Sequence, residues 1–220
     1  MYNYETVIRR PGFCYACRIQ LSFPSLRDTE MDLKQELTEH YRWLRQHGVN
    51  DSHSGNASVR ERDKFWITPT GACADTLSAD ELVRCSVNGE PAAGASLDTP
   101  LHQSVYRANE EIRAVLHGHG PYTLAMTMDG MDFVPADFEG QFYFGRVGVI
   151  DIAYQDMMEE APHRVGRALS DARIVVVRGH GAYACGPTIN RAYKWLCSLE
   201  LSAKTAFLAR QAGTVPPHRQ

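Results

Sequence analysis

Val115-Leu116-His117-Gly118-His119-Gly120 sets two histidines two residues apart at the end of an apolar run. Side chains on a strand alternate with period two, so both imidazoles fall on one face. The glycine between them lets another group approach the backbone. Imidazoles placed this way suit a zinc-like ion, which takes nitrogen ligands at about 2.0–2.1 Å. A hydrogen-bonded histidine pair at a strand end is the plainer alternative. Ile174-Val175-Val176-Val177-Arg178-Gly179-His180-Gly181 has the same grammar: a β-branched strand, then a histidine flanked by glycines. Three neutral imidazoles would meet the usual need of a catalytic zinc, three protein ligands with one position open. His40 and His47 lie on a helical stretch, and His163 and His218 in surface-like sequence, so these four are read as structural or solvent-exposed.

Asp98 opens a further helical stretch. It serves either as the N-cap or as a carboxylate at the metal edge, as ligand or proton-transfer group. His102 follows one turn later on the same face, where it either holds that carboxylate or packs. The turn Gly55-Asn56-Ala57-Ser58 and the pair Thr70-Gly71 offer backbone N–H groups with short amide or hydroxyl side chains. Such clusters can cradle a phosphate or carboxylate, though each alone also fits a plain turn. Cys14 and Cys17 form a single CxxC, with no second pair at zinc-finger spacing to make it a metal site.

The elements that must position these groups follow from periodicity. Leu33, Leu37, Tyr41 and Leu44 recur at helical spacing over residues 31–47, and Gly48 stands where a C-cap belongs. Residues 51–58 read as a polar turn, and 64–68 as a short strand ended by Pro69-Thr70-Gly71. A helical turn is expected at 78–83 and a loop or hairpin at 87–95. A helix runs from Asp98, with Pro100 in its first turn and Leu101, Val105 and Tyr106 on its apolar face. Strands are expected at 112–119, 147–152 and 174–177, with helices at 121–128 and 188–210. Residues 1–28 read as an N-terminal extension, 29–212 as one α/β domain, and 213–220 as a flexible tail.

Composition bounds the function class. The chain has 220 residues, 44% hydrophobic and 22% charged, enough apolar surface for a sizeable core. The 23 basic and 26 acidic residues nearly balance, which argues against nucleic acid as the partner. No run reaches the roughly 18 apolar residues of a membrane span, and the first residues lack a secretory pattern. Six cysteines are too sparse for a disulfide scaffold, so a reduced, cytoplasmic protein is expected.

Taken in order, Gly55-Asn56-x-Ser58, Ile67-Thr68-Pro69-Thr70-Gly71, Asp98-Thr99-Pro100-x-His102, His117-Gly118-His119 and Gly179-His180-Gly181 resemble the class II aldolase/adducin family. That family includes fuculose-phosphate aldolase and ribulose-phosphate 4-epimerase, and the match runs over about residues 31–210. The resemblance implies a three-layer α/β/α sandwich around a largely antiparallel sheet. It implies a homotetramer with active sites between subunits, and a divalent metal, usually zinc, on His117, His119 and His180 with Asp98 at its edge. Manganese fits three histidines and a carboxylate as well. It also implies that Gly55, Asn56, Thr70, Gly71 and Ser96 bind the anionic end of the substrate. Family aldolases carry a proton-shuttling Glu, and epimerases an Asp, at the position of Asp98. Ala136-Asp137-Phe138 resembles the epimerases' Ala-Asp-Tyr, whose Asp is a catalytic acid.

Departures shape the expected reaction. Leu97 stands where sugar-phosphate members commonly show a second serine, which favours a carboxylate or neutral group over a phosphate. No tyrosine follows Tyr193, which weakens epimerisation. The expectation is a metal-dependent C–C lyase of aldolase type, acting on a small hydroxy-carbonyl substrate through a metal-stabilised enolate. Decarboxylation of a hydroxy or keto acid is next, then 4-epimerisation. A non-catalytic adducin-like assembly module ranks last, because all three histidines are intact.

Overall fold

The computed structural model describes residues 26–214, with side chains from residue 32 onward. Cys14 and Cys17, His218, nearly all of the expected extension and most of the expected tail lie outside these residues. Helix α1 (Leu26–Gln46) begins ahead of the helix expected from residue 31. It seals Leu37, Tyr41 and Leu44 completely against the sheet, as their spacing requires.

Seven strands follow: β1 (Asn56–Glu61), β2 (Lys64–Ile67), β3 (Val83–Ser86), β4 (Ala114–Gly118), β5 (Val149–Ile150), β6 (Ile174–Val177) and β7 (Gly181–Gly186). Their order across the sheet is β3-β2-β1-β4-β7-β6-β5. The β5–β6 pair is parallel and every other neighbouring pair is antiparallel. Helices α2 (Thr99–Ala108), α3 (Pro121–Thr127), α4 (Phe138–Phe144), α5 (Met157–Leu169) and α6 (Ile189–Gln211) complete the described fold.

Alternation along the strands divides the core in two. Ala57, Ala114, Leu116, Ala182 and Ala184 face α1 and α6. Val115, Val175, Tyr183 and Cys185 face α2 and α5. The result is the three-layer α/β/α sandwich that the resemblance implies. β6 is buried on both faces, which explains its unbroken Ile-Val-Val-Val run. Leu116 is fully enclosed, and truncating such a leucine to alanine costs about 2–5 kcal/mol.

Several elements differ from the sequence reading. Residues 56–58, read as a turn, open β1, because Asn56, Ala57 and Ser58 pair with His117, Leu116 and Val115. The helical turn at 78–83 is a 3-10 turn over Ala79–Glu81, and β3 begins at Val83. The strand expected at 147–152 contracts to Val149–Ile150. α5 contains Pro162 and Gly166, both helix-disfavouring, yet it forms against α2, where Ser104 closes over Gly166. β7 is rich in alanine and glycine, a poor strand composition held by pairing on both edges.

Candidate metal centre

The site grows from one line across the sheet. Asn56 on β1 pairs with His117 on β4, which pairs with Tyr183 on β7. Residues directly opposite share a face, so all three side chains emerge on the α2 side. The Tyr183 ring stacks flat on His117, with centroids 3.9 Å apart and planes 5° apart. His119 follows the end of β4 and His180 the turn from β6 into β7. The rings of His117, His119 and His180 have centroids 4.4–5.1 Å apart, and one ligand atom from each lies within 4.8 Å of the others.

Close backbone approach forces this convergence. A Cβ at Gly181 would lie 2.6 Å from the Gly118 carbonyl, 2.6 Å from His119 Cδ2 and 2.7 Å from His117 Cε1. The glycine after His180 is therefore what lets β7 enter beside the histidine pair. The Gly118 backbone is approached by Val49 Cγ1, which a Cβ would meet at 2.8 Å. Asn50, just beyond α1, clamps the pair: its Oδ1 accepts from the His119 N–H at 2.9 Å and its Nδ2 donates to the His117 carbonyl at 3.5 Å. Gly55, at φ +73°, keeps clear of that clamp. From α6, the buried Glu200 carboxylate accepts the N–H groups of Tyr122 and Thr123 at 3.0 and 2.9 Å. It thereby caps α3 immediately after His119-Gly120. No sequence pattern singled out Asn50 or Glu200, since each acts on backbone that only the fold brings to it.

The donor set fits a divalent cation. His117 donates from Nδ1 to the Ala182 carbonyl at 3.0 Å, leaving Nε2 as a lone pair 2.7 Å from His119 Nε2. Burial, then the neighbouring imidazoles, hold His117 well below the ordinary imidazole range. Burial is likewise the first cause of the lowering of His119 and His180. The trio is thus neutral at pH 7, the form that binds metal. Nitrogens bound tetrahedrally at zinc distances lie about 3.3 Å apart, within reach of small ring movements.

Asp98 stands at the N-cap position of α2, but its side chain makes no capping bond. Ser96 Oγ accepts the Asp98 N–H at 3.3 Å instead. Asp98 Oδ2 accepts from Asn56 Nδ2 at 2.7 Å and from the Tyr183 hydroxyl at 3.0 Å. With the Asn56 amide nitrogen committed to a carboxylate, its Oδ1 must accept from His102 Nε2, 2.7 Å away. His102 Nδ1 then accepts from Ser58 Oγ at 2.6 Å, and Ser58 from the Tyr106 hydroxyl at 2.6 Å. The chain from Tyr106 to Asp98 therefore donates in one direction. Burial holds His102 at about 4, partly opposed by the Asp98 charge, so the relay is neutral. His102 thus does not hold the carboxylate directly. It orients the amide that does.

The remaining predicted residues fall as follows. Thr70 uses both donors internally, its N–H to the Gly94 carbonyl and its hydroxyl to Ala95. Gly71 is exposed in a turn at φ +72°. Leu97 is 66% exposed and, with Met157 and Met158, walls a narrow crevice that reaches Asp98. Asp137 caps α4 through Gly140 N and bonds Ser202 Oγ, and shares no hydrogen bond with the histidine trio. His40 is buried against Trp43 and Tyr193, while His47 and His163 are exposed.

Comparison with known proteins agrees with this fold. The chain is 26% identical over 155 residues to the L-fuculose phosphate aldolase of Methanocaldococcus jannaschii, covering 70% of this chain and 84% of the relative. It is 29% identical over 184 residues to the 3-oxo-tetronate 4-phosphate decarboxylase of Cupriavidus necator, covering 80% and 84%. The crystal structure of L-fuculose-1-phosphate aldolase from Thermus thermophilus superposes with a TM-score of 0.78 at 29% identity, over 84% of this chain and 99% of that one. The profile of the Class II Aldolase and Adducin N-terminal domain matches residues 35–207. With the sandwich, the histidine trio and this match in hand, the chain belongs to the class II aldolase/adducin family.

Proposed function

We propose that the protein is a metal-dependent carbon–carbon lyase of aldolase type, acting on a small hydroxy-carbonyl substrate. The observation that carries this reading is the convergence of His117, His119 and His180 beside the anchored carboxylate of Asp98. A divalent cation on the three imidazoles, zinc in this reading with manganese as the alternative, supplies Lewis acidity to neighbouring carbonyl and hydroxyl oxygens. Asp98 is the proton carrier. It takes the proton of the substrate hydroxyl as the C–C bond breaks and returns one to the carbon that gains the electron pair. The spare Asn56 N–H, the Gly71 N–H and the Ser96 hydroxyl bind the far end of the substrate, beside Gly55 and Thr70.

In this reading the working form is a homotetramer with sites between subunits, and Asp137 is the alternative proton-transfer residue. Support comes from apolar side chains left uncovered on α4, where Phe138 and Phe142 are 79% and 76% exposed. No described helix is long and apolar enough to cross a membrane, and we place the protein in the cytoplasm.

Decarboxylation is the second reading. Leu97 favours it, because its side chain offers no hydrogen bond to a phosphate; the similarity to a decarboxylase favours loss of CO₂ too, although that relative's name specifies a phosphorylated substrate. Metal-loaded protein incubated with hydroxy-keto acids and sugar phosphates, assayed for aldehyde and for CO₂, tests both. Aldehyde without CO₂ supports the lyase, and CO₂ supports the decarboxylase. Neither product, on a chain that retains no divalent ion, points to an assembly module.

A further inference from the structure

Tyr183 carries no role in the reading above, yet it touches three members of the site: His117, His180 and Asp98. It is fully buried on the interior strand β7. Its ring covers one face of His117. Its hydroxyl lies 3.2 Å from His180 Nε2 and donates to Asp98 Oδ2 at 3.0 Å. Asn56 Nδ2 takes the same oxygen from the opposite side at 2.7 Å. Among the described residues no hydrogen bond falls on Asp98 Oδ1.

Two donors on one carboxylate oxygen fix the rotation of the group about its last bond. With Asn56 alone, the carboxylate could pivot on a single contact and exchange its oxygens. Asn56 is held by His102, and Tyr183 by its stack on His117, so neither donor can follow such a pivot.

We propose that Tyr183 is a positioning residue that locks Asp98 by its Oδ2, leaving Oδ1 as the carboxylate oxygen free of hydrogen bonds from the described residues. The inference rests on reading the trio as a cation site. Its consequence is specific: the atom that meets substrate or cation is chosen by a tyrosine hydroxyl on β7.

Tyr183→Phe keeps the ring, its volume and its stack, and removes only the donor. Wild type and variant are loaded with cobalt(II), their visible d–d spectra are compared, and crystal structures of both are determined. The expected result is one cobalt per chain in each protein, a changed spectral envelope in the variant, and an Asp98 carboxylate rotated or spread over two orientations. On a substrate found by the product screen, kcat falls about tenfold to a hundredfold, the cost of a lost hydrogen bond to a charged group, with KM nearly unchanged. Superimposable carboxylates with identical spectra would overturn the proposal. A wild type that takes no cobalt at the histidines defeats the reading of the trio instead, and the two carboxylate orientations still decide the role of Tyr183.

Discussion

Acidifying the metal-free protein tests the buried relay. His102 is enclosed, with its Nε2–H committed to Asn56 and its Nδ1 accepting from Ser58. Burial lowers it from 6.5 to about 4. Between those values the unfolded chain binds a proton here that the folded chain does not, so stability rises with pH. The contribution is complete above pH 6.5 and is lost as the pH falls toward 4. One such group changes stability by up to about 1.4 kcal/mol per pH unit, and about 3 kcal/mol across the window. His117, His119 and His180 are lowered as well and act in the same direction, so only a difference isolates His102. Urea unfolding of chelator-treated wild type and His102→Gln is followed from pH 7 to 4.5 at fixed protein concentration. The variant is less stable at pH 7, and its slope below pH 6 is shallower by about 1 kcal/mol per pH unit. Equal slopes would refute the neutral buried relay.

Further outcomes follow from single contacts. His119→Ala folds and assembles as wild type but loses divalent-ion retention and activity, read by metal analysis and product release; near-wild-type turnover would remove the metal role. Gly181→Ala drives a methyl group into the His117 and His119 rings and weakens ion binding by at least tenfold in a chelator competition, though no ligand is altered. Asp98→Asn retains the ion but turns over poorly, with kcat down by about 10²–10⁴; an unchanged kcat would move the proton-transfer role to Asp137 or to a residue of a neighbouring subunit. Glu200→Gln weakens the cap on α3 and lowers stability by about 1–3 kcal/mol in denaturant unfolding, the range for a hydrogen bond to a buried charge.

Local pattern revealed the histidines and their glycines because their cause is local. A strand period aligns His117 with His119, and Gly181 must be small for reasons its neighbours partly advertise. The long helices α1 and α6 were equally legible, since a sustained apolar stripe has one reading. What local pattern does not carry depends on contacts far apart in the chain. Asn56 read as part of a turn because its strand partner, His117, lies 61 residues on. Tyr183 sits among alanines and glycines whose propensity hides an interior strand. The spacing puts His102 one turn after Asp98, but its hydrogen-bond partner is the Asn56 amide between them, which only β1 supplies. Helix α5 contradicts its own propensities at Pro162 and Gly166 and exists because α2 packs against it.

Diffraction data collected at the zinc absorption edge, from crystals of protein supplied with zinc, test the central claim most directly. One anomalous peak per chain is expected among His117, His119 and His180, at about 2.0–2.1 Å from a nitrogen of each ring. A structure in which those rings stay free while zinc binds elsewhere, or not at all, would contradict it.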